Sequence, residues 1–402
     1  MSEMIDVKEL MKKMTTEVIK SSAESYFSSI KNPAYHLSKP FASLDECPVL
    51  LISFSRILQN GRFTPGQRVL EFGAGSCWAG RLLNQLGLEV ISVDISASAL
   101  KLGQRLKAEW PVFGAQPLHS FLETDGLTID LPDGSVDRIV CLDCFHHVSN
   151  QDQILREFYR ILKPSGLIAF SEPGADHSKT PQSQFEMKNY GVIENDILLD
   201  EIWGLSESIG FKRMYCAFNL LQAPTLDLSA YRIFQQGGLS NDTLQSLGQC
   251  IQDEQVNASL FFIEKDGYDI VDSRTRIGMG GALRLISSEE INLLSGDRGL
   301  KVSLEVTNTS GQIWLKSDSG IGAVNIGIHL FDGQGRMLEL DYYRYHFLFQ
   351  NSMPGQVQIT EFTVPIPKQA GQFTFEIDLV SEGVSWFAVI GSQAIKIDYN
   401  AG

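Results

Sequence analysis

The 402-residue chain carries 33 lysines and arginines against 48 aspartates and glutamates, a formal net charge of −15. That charge would repel a phosphate backbone, and no basic run offsets it locally, so DNA and RNA are not expected partners. A make-up of 43% hydrophobic and 20% charged residues is that of a globular protein, long enough for about two or three cores. No apolar run reaches membrane-spanning length and the first residues lack a signal-peptide pattern, so a cytoplasmic protein with no membrane span is expected. The six cysteines, at 47, 77, 141, 144, 216 and 250, are too sparse for a disulfide scaffold. Cys141 and Cys144 make a lone Cys-x-x-Cys in a predicted strand with no second pair, and no compact His, Asp or Glu cluster in the sequence argues for a metal.

Residues 1–60 read as a helical arm or lid. Leu10, Met11, Met14, Val18 and Ile19 fall near one side of a helix over residues 1–30. The stretch Asn32 to Phe41 then holds two prolines that interrupt helix and strand alike, and it offers His36 and Lys39 to the mouth of any site nearby.

Residues 61–270 form the next unit, organised around Val69-Leu70-Glu71-Phe72-Gly73-Ala74-Gly75-Ser76-Cys77-Trp78. An apolar run ends in an acid and a glycine turn, followed by a helix with Leu82, Leu83 and Leu86 on one face. Gly73 and Gly75 let the backbone turn sharply and approach a ligand laid over the first amides of that helix. The next apolar run ends at Asp94, 19 residues after Gly75, the offset at which a second-strand acid meets a ribose in doubly wound folds. A dinucleotide fits poorly here. Its third small residue is replaced by Trp78, and Glu71 and Asp125 would repel a pyrophosphate while attracting a sulfonium and an ammonium.

Downstream come Thr124-Asp125-Gly126, Val136-Asp137-Arg138-Ile139-Val140 and Leu162-Lys163-Pro164-Ser165-Gly166. In order and spacing this set resembles the class I methyltransferases of the type 11-like kind. The resemblance implies a Rossmann-like α/β fold with a seven-stranded doubly wound sheet, and S-adenosyl-L-methionine as cofactor. It further implies a cofactor set of Glu71, Gly73, Ala74, Gly75, Asp94, Ile95, Asp125, Gly126 and Asp143, with Glu71 near the methionine amine, Asp94 on the ribose and Asp125 facing the adenine. Cys77 departs from the glycine that many members carry, and is tolerable there if position 77 is already helical.

Asp137–Cys144 reads as the fourth strand and Gly166–Glu172 as the fifth, with Lys163 to Gly166 a turn between helix and strand. Catalytic groups in open parallel sheets collect at the carboxyl ends of strands, so Asp143, Cys144, His146 and His147, and Glu172 to His177, should lie beside the transferable methyl. Methyl transfer to a hydroxyl needs a base for its proton, and His147, His177 and Glu172 are the candidates, with His146 assigned to packing. Glu194 and Asn195 either face the acceptor or cap the following helix. Strands are expected up to Phe218 and over Ser259–Lys265, with residues 219–258 an insertion that shapes the acceptor pocket or a subunit contact.

After a hinge at Gly278-Met279-Gly280-Gly281, residues 280–402 read as an all-β sandwich. Lys301–Thr307, Ala323–Phe331, Val357–Val364 and Phe373–Val380 are the clearest strands. The module resembles immunoglobulin-like sandwiches of bacterial polysaccharide synthesis and export, which implies a glycan-binding role. Trp314, Tyr342, Tyr343, Tyr345 and Trp386 are candidates to stack on sugars, and a homodimer contact is another use of the same surface. The expectation is thus a methyltransferase that O-methylates a sugar hydroxyl of a surface polysaccharide or its precursor. The alternatives are a small-molecule methyltransferase acting on a lipid, quinone or natural product, and a non-catalytic glycan-binding scaffold that retains the cofactor.

Overall fold

The computed structural model describes residues 4–401 other than 112, 113, 115, 116, 219, 221–224, 239, 240, 267–270 and 294–297. The chain divides into two compact units, Met1–Asp269 and Ile270–Gly402. In the first, the expected single N-terminal helix is two, α1 (Val7–Lys13) and α2 (Thr16–Ser29), because Thr15 turns the chain and caps α2 with its hydroxyl. The proline-flanked stretch is a short helix, α3 (Ala34–Ser38), rather than a plain loop, and α4 (Glu46–Asn60) follows.

The unit then alternates strand and helix: β1 (Arg68–Phe72), α5 (Trp78–Gln85), β2 (Glu89–Asp94), α6 (Ala97–Glu109), β3 (His119–Glu123), β4 (Val136–Leu142), α7 (Gln151–Ile161) and β5 (Leu162–Pro173). It closes with α8 (Pro181–Tyr190), α9 (Leu199–Ile209), β6 (Arg213–Cys216), α10 (Leu228–Gln235), α11 (Asn241–Asn257) and β7 (Ala258–Glu264). Helices α10 and α11 occupy the expected insertion.

The seven strands make one sheet in the order β3-β2-β1-β4-β5-β7-β6, parallel except for β7. This is the Rossmann-like topology expected. From β1 the chain steps outward through β2 and β3, then returns to the other side of β1 as β4. The carboxyl ends of β1 and β4 therefore part at a crevice. Burial on both faces explains the near-continuous apolar runs of β1, β4 and β5. Leu70, Ile139, Ile168, Phe158 and Phe261 pack one face of the sheet, and Val69, Val140, Ala169, Leu83 and Phe262 the other. Lys163 to Gly166, expected as a turn, is extended and already part of β5.

The second unit is all-β. Strands β8 (Ala282–Asn292), β9 (Arg298–Thr307), β10 (Val324–Asp332), β11 (Met337–Tyr345), β12 (Val357–Pro365), β13 (Gly371–Ser381), β14 (Ser385–Trp386) and β15 (Ile395–Ala401) form two antiparallel sheets. One runs β12-β9-β8. The other runs β11-β10-β13-β14, with β15 also on β13. Alternate residues of β9, β10 and β13, among them Val302, Leu304, Ile326, Ile328, Phe375 and Ile377, fill the space between them.

Two expectations for this unit change. The Gly278–Gly281 stretch is not a free hinge: Met279 belongs to the sandwich core, and a Cβ on Gly281 would stand 2.5 Å from Leu379 Cδ1. The chain joins this unit earlier, where Ser273 Oγ donates to the Gly322 carbonyl and its own carbonyl accepts from Ser381 Oγ. Trp314 is a core residue set edge-on to Phe387, with no face free for a sugar, and Trp386 is covered by the Arg344 guanidinium. Among the described residues no helix is long and apolar enough to cross a membrane.

Candidate active site

The glycine turn after β1 has the backbone its sequence requires. Gly73 and Gly75 take φ of +63° and +51°, and a Cβ on Gly73 would meet Cys144 Cβ at 2.4 Å. Cys77 does not join the helix: it is left-handed too, at φ +58°, and precedes α5. A glycine would sit there at no cost, and the side chain fits only because Gly103 of α6 leaves room for its sulfur.

Glu71 and Asp94 tie this turn together. Asp94 accepts from the Gly75 N–H at 2.8 Å with one oxygen and from the Ser96 N–H at 2.8 Å with the other. Ala74 N–H donates to the Val93 carbonyl, and Thr124 N–H to the Asp94 carbonyl, so the ends of β1, β2 and β3 are bonded into one rim. Glu71 lies deeper than the resemblance implies. Its oxygens accept from the Gly80 N–H and the Ser92 hydroxyl, and burial pushes its carboxyl up to about 7. It therefore braces the start of α5 and offers a cation its field rather than an open oxygen.

Ile95 and Gly126 stand together, a Cβ on Gly126 falling 2.9 Å from Ile95 Cδ1. Asp125, exposed, folds its carboxylate back onto the N–H groups of Leu127 and Thr128. Asp143 is left-handed at φ +52°, its N–H bonded to the Ser171 carbonyl and its side chain open to solvent.

Residues 1–60 read in the sequence as an arm or lid, but the residues that cover this rim were not named there. Helix α2 lies across it: Glu24 accepts from the Ser96 and Ser98 hydroxyls and the Ser98 N–H, Lys20 pairs with Glu123 at 2.6 Å, Thr16 reaches Gly126 and Phe27 reaches Gly75. Those donors hold the Glu24 carboxyl at about 2. Nothing in a polar helix face announces such a docking. His36 packs among Tyr26, Phe27 and Tyr35, and Lys39 pairs with Glu46.

Across the crevice, β4 and β5 bring the histidines together. Glu172, expected as a base, is fully buried. It accepts from the N–H groups of Cys144, Phe145 and His146 and, at 2.8 Å, from His146 Nδ1. With every oxygen so engaged it positions the loop and cannot reach an acceptor. Burial pushes the buried His146 down, but the bonded Glu172 carboxylate outweighs it and raises the ring's pKa. His147 is half-buried, and its Nδ1 donates to the Ile193 carbonyl. Partial burial and the adjacent His146 ring, 3.9 Å between centroids, lower its pKa.

His177 reaches the same cluster from after β5. Its Nε2 donates to Glu194 Oε2 at 2.7 Å, and its ring meets that of His146 at 5.0 Å. Glu194 is buried, which would raise its pKa, yet the bond from His177 and the fields of the other two histidines hold it below the usual carboxylate range. It faces the cluster and caps no helix. Cys144 joins the two halves of the crevice: its thiol donates to the Phe72 carbonyl at the end of β1.

Residues 70–170 match the model of a family described as "Methyltransferase domain". The match covers about a quarter of the chain and supports S-adenosylmethionine as the cofactor and the class of S-adenosylmethionine-dependent methyltransferases. The donor set fits that cofactor: a glycine turn that a Cβ would fill, two acids at strand ends and, among the described residues, no cation paired with either to repel a sulfonium. The methyltransferase domain is similar to the demethylmenaquinone methyltransferase of Renibacterium salmoninarum, with 28% identity over 134 residues, 33% of this chain and 53% of that protein. It is also similar to the ubiquinone/menaquinone biosynthesis C-methyltransferase UbiE of Vibrio cholerae, with 31% identity over 116 residues, 27% of this chain and 43% of that one. The chain thus spans about half the length of these curated relatives. Among solved structures, the cyclopropane synthase MmaA2 of Mycobacterium tuberculosis aligns with 61% of this chain and 98% of its own at a TM-score of 0.42 and 16% identity.

Proposed function

We propose that this protein transfers a methyl group to a hydroxyl oxygen of a polar acceptor, a sugar of a surface polysaccharide or of its precursor, in the cytoplasm. The observation that carries the reading is the cluster of His146, His147, His177 and Glu194 on the acceptor side of the crevice. Such a lining suits a hydroxylated acceptor and would leave a wholly apolar one facing unpaired polar groups.

S-adenosylmethionine supplies an electrophilic methyl on a sulfonium. The protein's part is to seat it on the Gly73–Gly75 turn with Asp94 at the ribose, and to hold the acceptor oxygen in line. His147 is the base. Its Nδ1–H is committed to the Ile193 carbonyl, so Nε2 carries the free lone pair, and its ring is open enough to meet an acceptor. His177 and Glu194 hold the cluster's charge balance, and Glu172 fixes His146 beside it. All six cysteines are free, as a reducing compartment would keep them. Tyr342, Tyr343 and Tyr345 pack partly against the sandwich core, the last two stacked on Phe362, and the part of each that stays exposed supports the sandwich's use in holding a glycan.

The test is a calorimetric titration of the full chain with adenosylhomocysteine, followed by methyl transfer to a panel of glycans and nucleotide-linked sugars. We expect label on a sugar oxygen, and a His147→Ala variant with cofactor affinity within twofold but turnover reduced by about 10²–10³. A second reading follows from the relatives named above, which act on quinones. Transfer to a demethylated quinone, with none to any hydroxylated acceptor, would replace the first.

A further inference from the structure

We propose that His146, His147 and Glu194 form a binding site for a divalent transition-metal ion, zinc or one of similar ligand preference. The two histidines are adjacent in sequence and Glu194 follows 47 positions after His147, and the fold brings one ligand atom of each to within 4.8 Å of the others. Ligands held at about 2.0–2.2 Å around a tetrahedral ion stand roughly 3.3–3.5 Å from one another. His146 Nε2 lies 3.8 Å from Glu194 Oε2, a gap that a small side-chain adjustment closes.

For His146 the outer contact is the one a metal-binding histidine needs: its Nδ1–H goes to the Glu172 carboxylate, which fixes the ring and leaves Nε2 facing Glu194. His147 faces Glu194 Oε1 with Nδ1, at 3.5 Å, the nitrogen that also meets the Ile193 carbonyl, and it would exchange that carbonyl for the ion. The third ligand is oriented in the same way, because His177 holds Glu194 Oε2 at 2.7 Å.

A second observation points to a missing positive partner. Glu194 is 3% exposed, and its Oε1 is buried and makes no hydrogen bond, with His147 Nδ1 standing off at 3.5 Å; the side-chain amide of Asn195 next to it, at 1% exposure, is unpartnered at both ends. A buried carboxylate oxygen with no donor is costly, and a cation removes that cost. Two imidazoles and one carboxylate match the preferences of zinc-class ions, and half-exposed His147 leaves a side open for a fourth ligand. The site depends on this cluster and not on the identity of the acceptor. With an ion in place, His147 would serve as a ligand in place of its role as base, and the ion itself would acidify a hydroxyl bound in the open position, whose proton would pass to water.

The experiment is to strip the full chain with a chelator and titrate it with Co²⁺ and with Zn²⁺, following Co²⁺ by its visible absorption and Zn²⁺ by competition with a chromophoric chelator. We expect one equivalent bound at micromolar or better affinity, with visible bands of a four- or five-coordinate ion and no thiolate charge-transfer band. Glu194→Gln, close to isosteric, and His147→Ala, at a half-exposed position, should each weaken binding more than 10-fold, and Glu172→Gln about 10-fold through the orientation of His146. Absence of binding at micromolar metal, or binding unchanged in both Glu194→Gln and His147→Ala, would overturn the proposal. These readouts do not involve methyl transfer, so their failure is separate from failure of the acceptor assignment.

Discussion

Cys77 shows how one residue records the space around it. Its left-handed backbone would cost about 1–2 kcal/mol for a residue with a Cβ, and its sulfur occupies the volume that a side chain on Gly103 would need. In an exposed helix, glycine to alanine gains about 1 kcal/mol. Here the new methyl would lie 2.3 Å from Cys77 Sγ and 3.0 Å from Phe121, so Gly103→Ala should destabilise the protein by about 1–3 kcal/mol in urea unfolding. Adding Cys77→Gly removes the clash with Cys77 and the strain, leaving only the Phe121 contact, and the double variant should recover most of the loss. Glu71 sets a pH dependence of its own. Burial raises its carboxyl from 4.5 to about 7, so between those values the unfolded chain ionises while the folded one keeps its proton, and stability falls as pH rises. The advantage of the native protein over Glu71→Gln should shrink by about 3 kcal/mol from pH 4.5 to 7 and then level off. Equal slopes for the two proteins would refute this.

At the scale of elements, helix α2 acts as a cover whose latch is Glu24. The helix carries no buried residue, so little apolar burial holds it down and polar contacts decide how often it lifts. Glu24 is the chief one, and its depressed carboxyl, at about 2, gives the sign. The contribution is complete above the ordinary carboxylate value near 4.5 and is lost as pH falls toward 2. We expect Glu24→Gln to speed hydrogen exchange across residues 16–29 at pH 7 and to raise the rate of adenosylhomocysteine release, leaving exchange in β1, β4 and β5 unchanged. Slow exchange in α2 despite the substitution would show that packing holds the helix instead. The central strands were legible in the sequence because they are buried on both faces and read as apolar runs. Strands β8 and β11 were not, since most of their residues face solvent and neither alternates cleanly.

At the scale of the molecule, each compact unit has an apolar core of its own. A chain ended after Lys265 should therefore fold, unfold in a single calorimetric transition and bind adenosylhomocysteine within about twofold of the full protein, which itself should show two transitions. Loss of cofactor binding in the shortened chain would mean that the sandwich supports the site. The glycine turn and the strand-end acids were legible in advance because they are local features: each reports its own backbone, and their spacing follows from strand and helix lengths. The histidine cluster was decided by tertiary structure alone. Glu172 reads as a base by position and becomes a brace because four donors converge on it. His146 reads as packing and joins a cluster only because residues 193–194, 47 positions on from His147 at Glu194, fold back onto it. Periodicity and spacing describe what neighbours along the chain can do; burial, and the partners that burial forces on a charged group, exist only once distant segments share one volume.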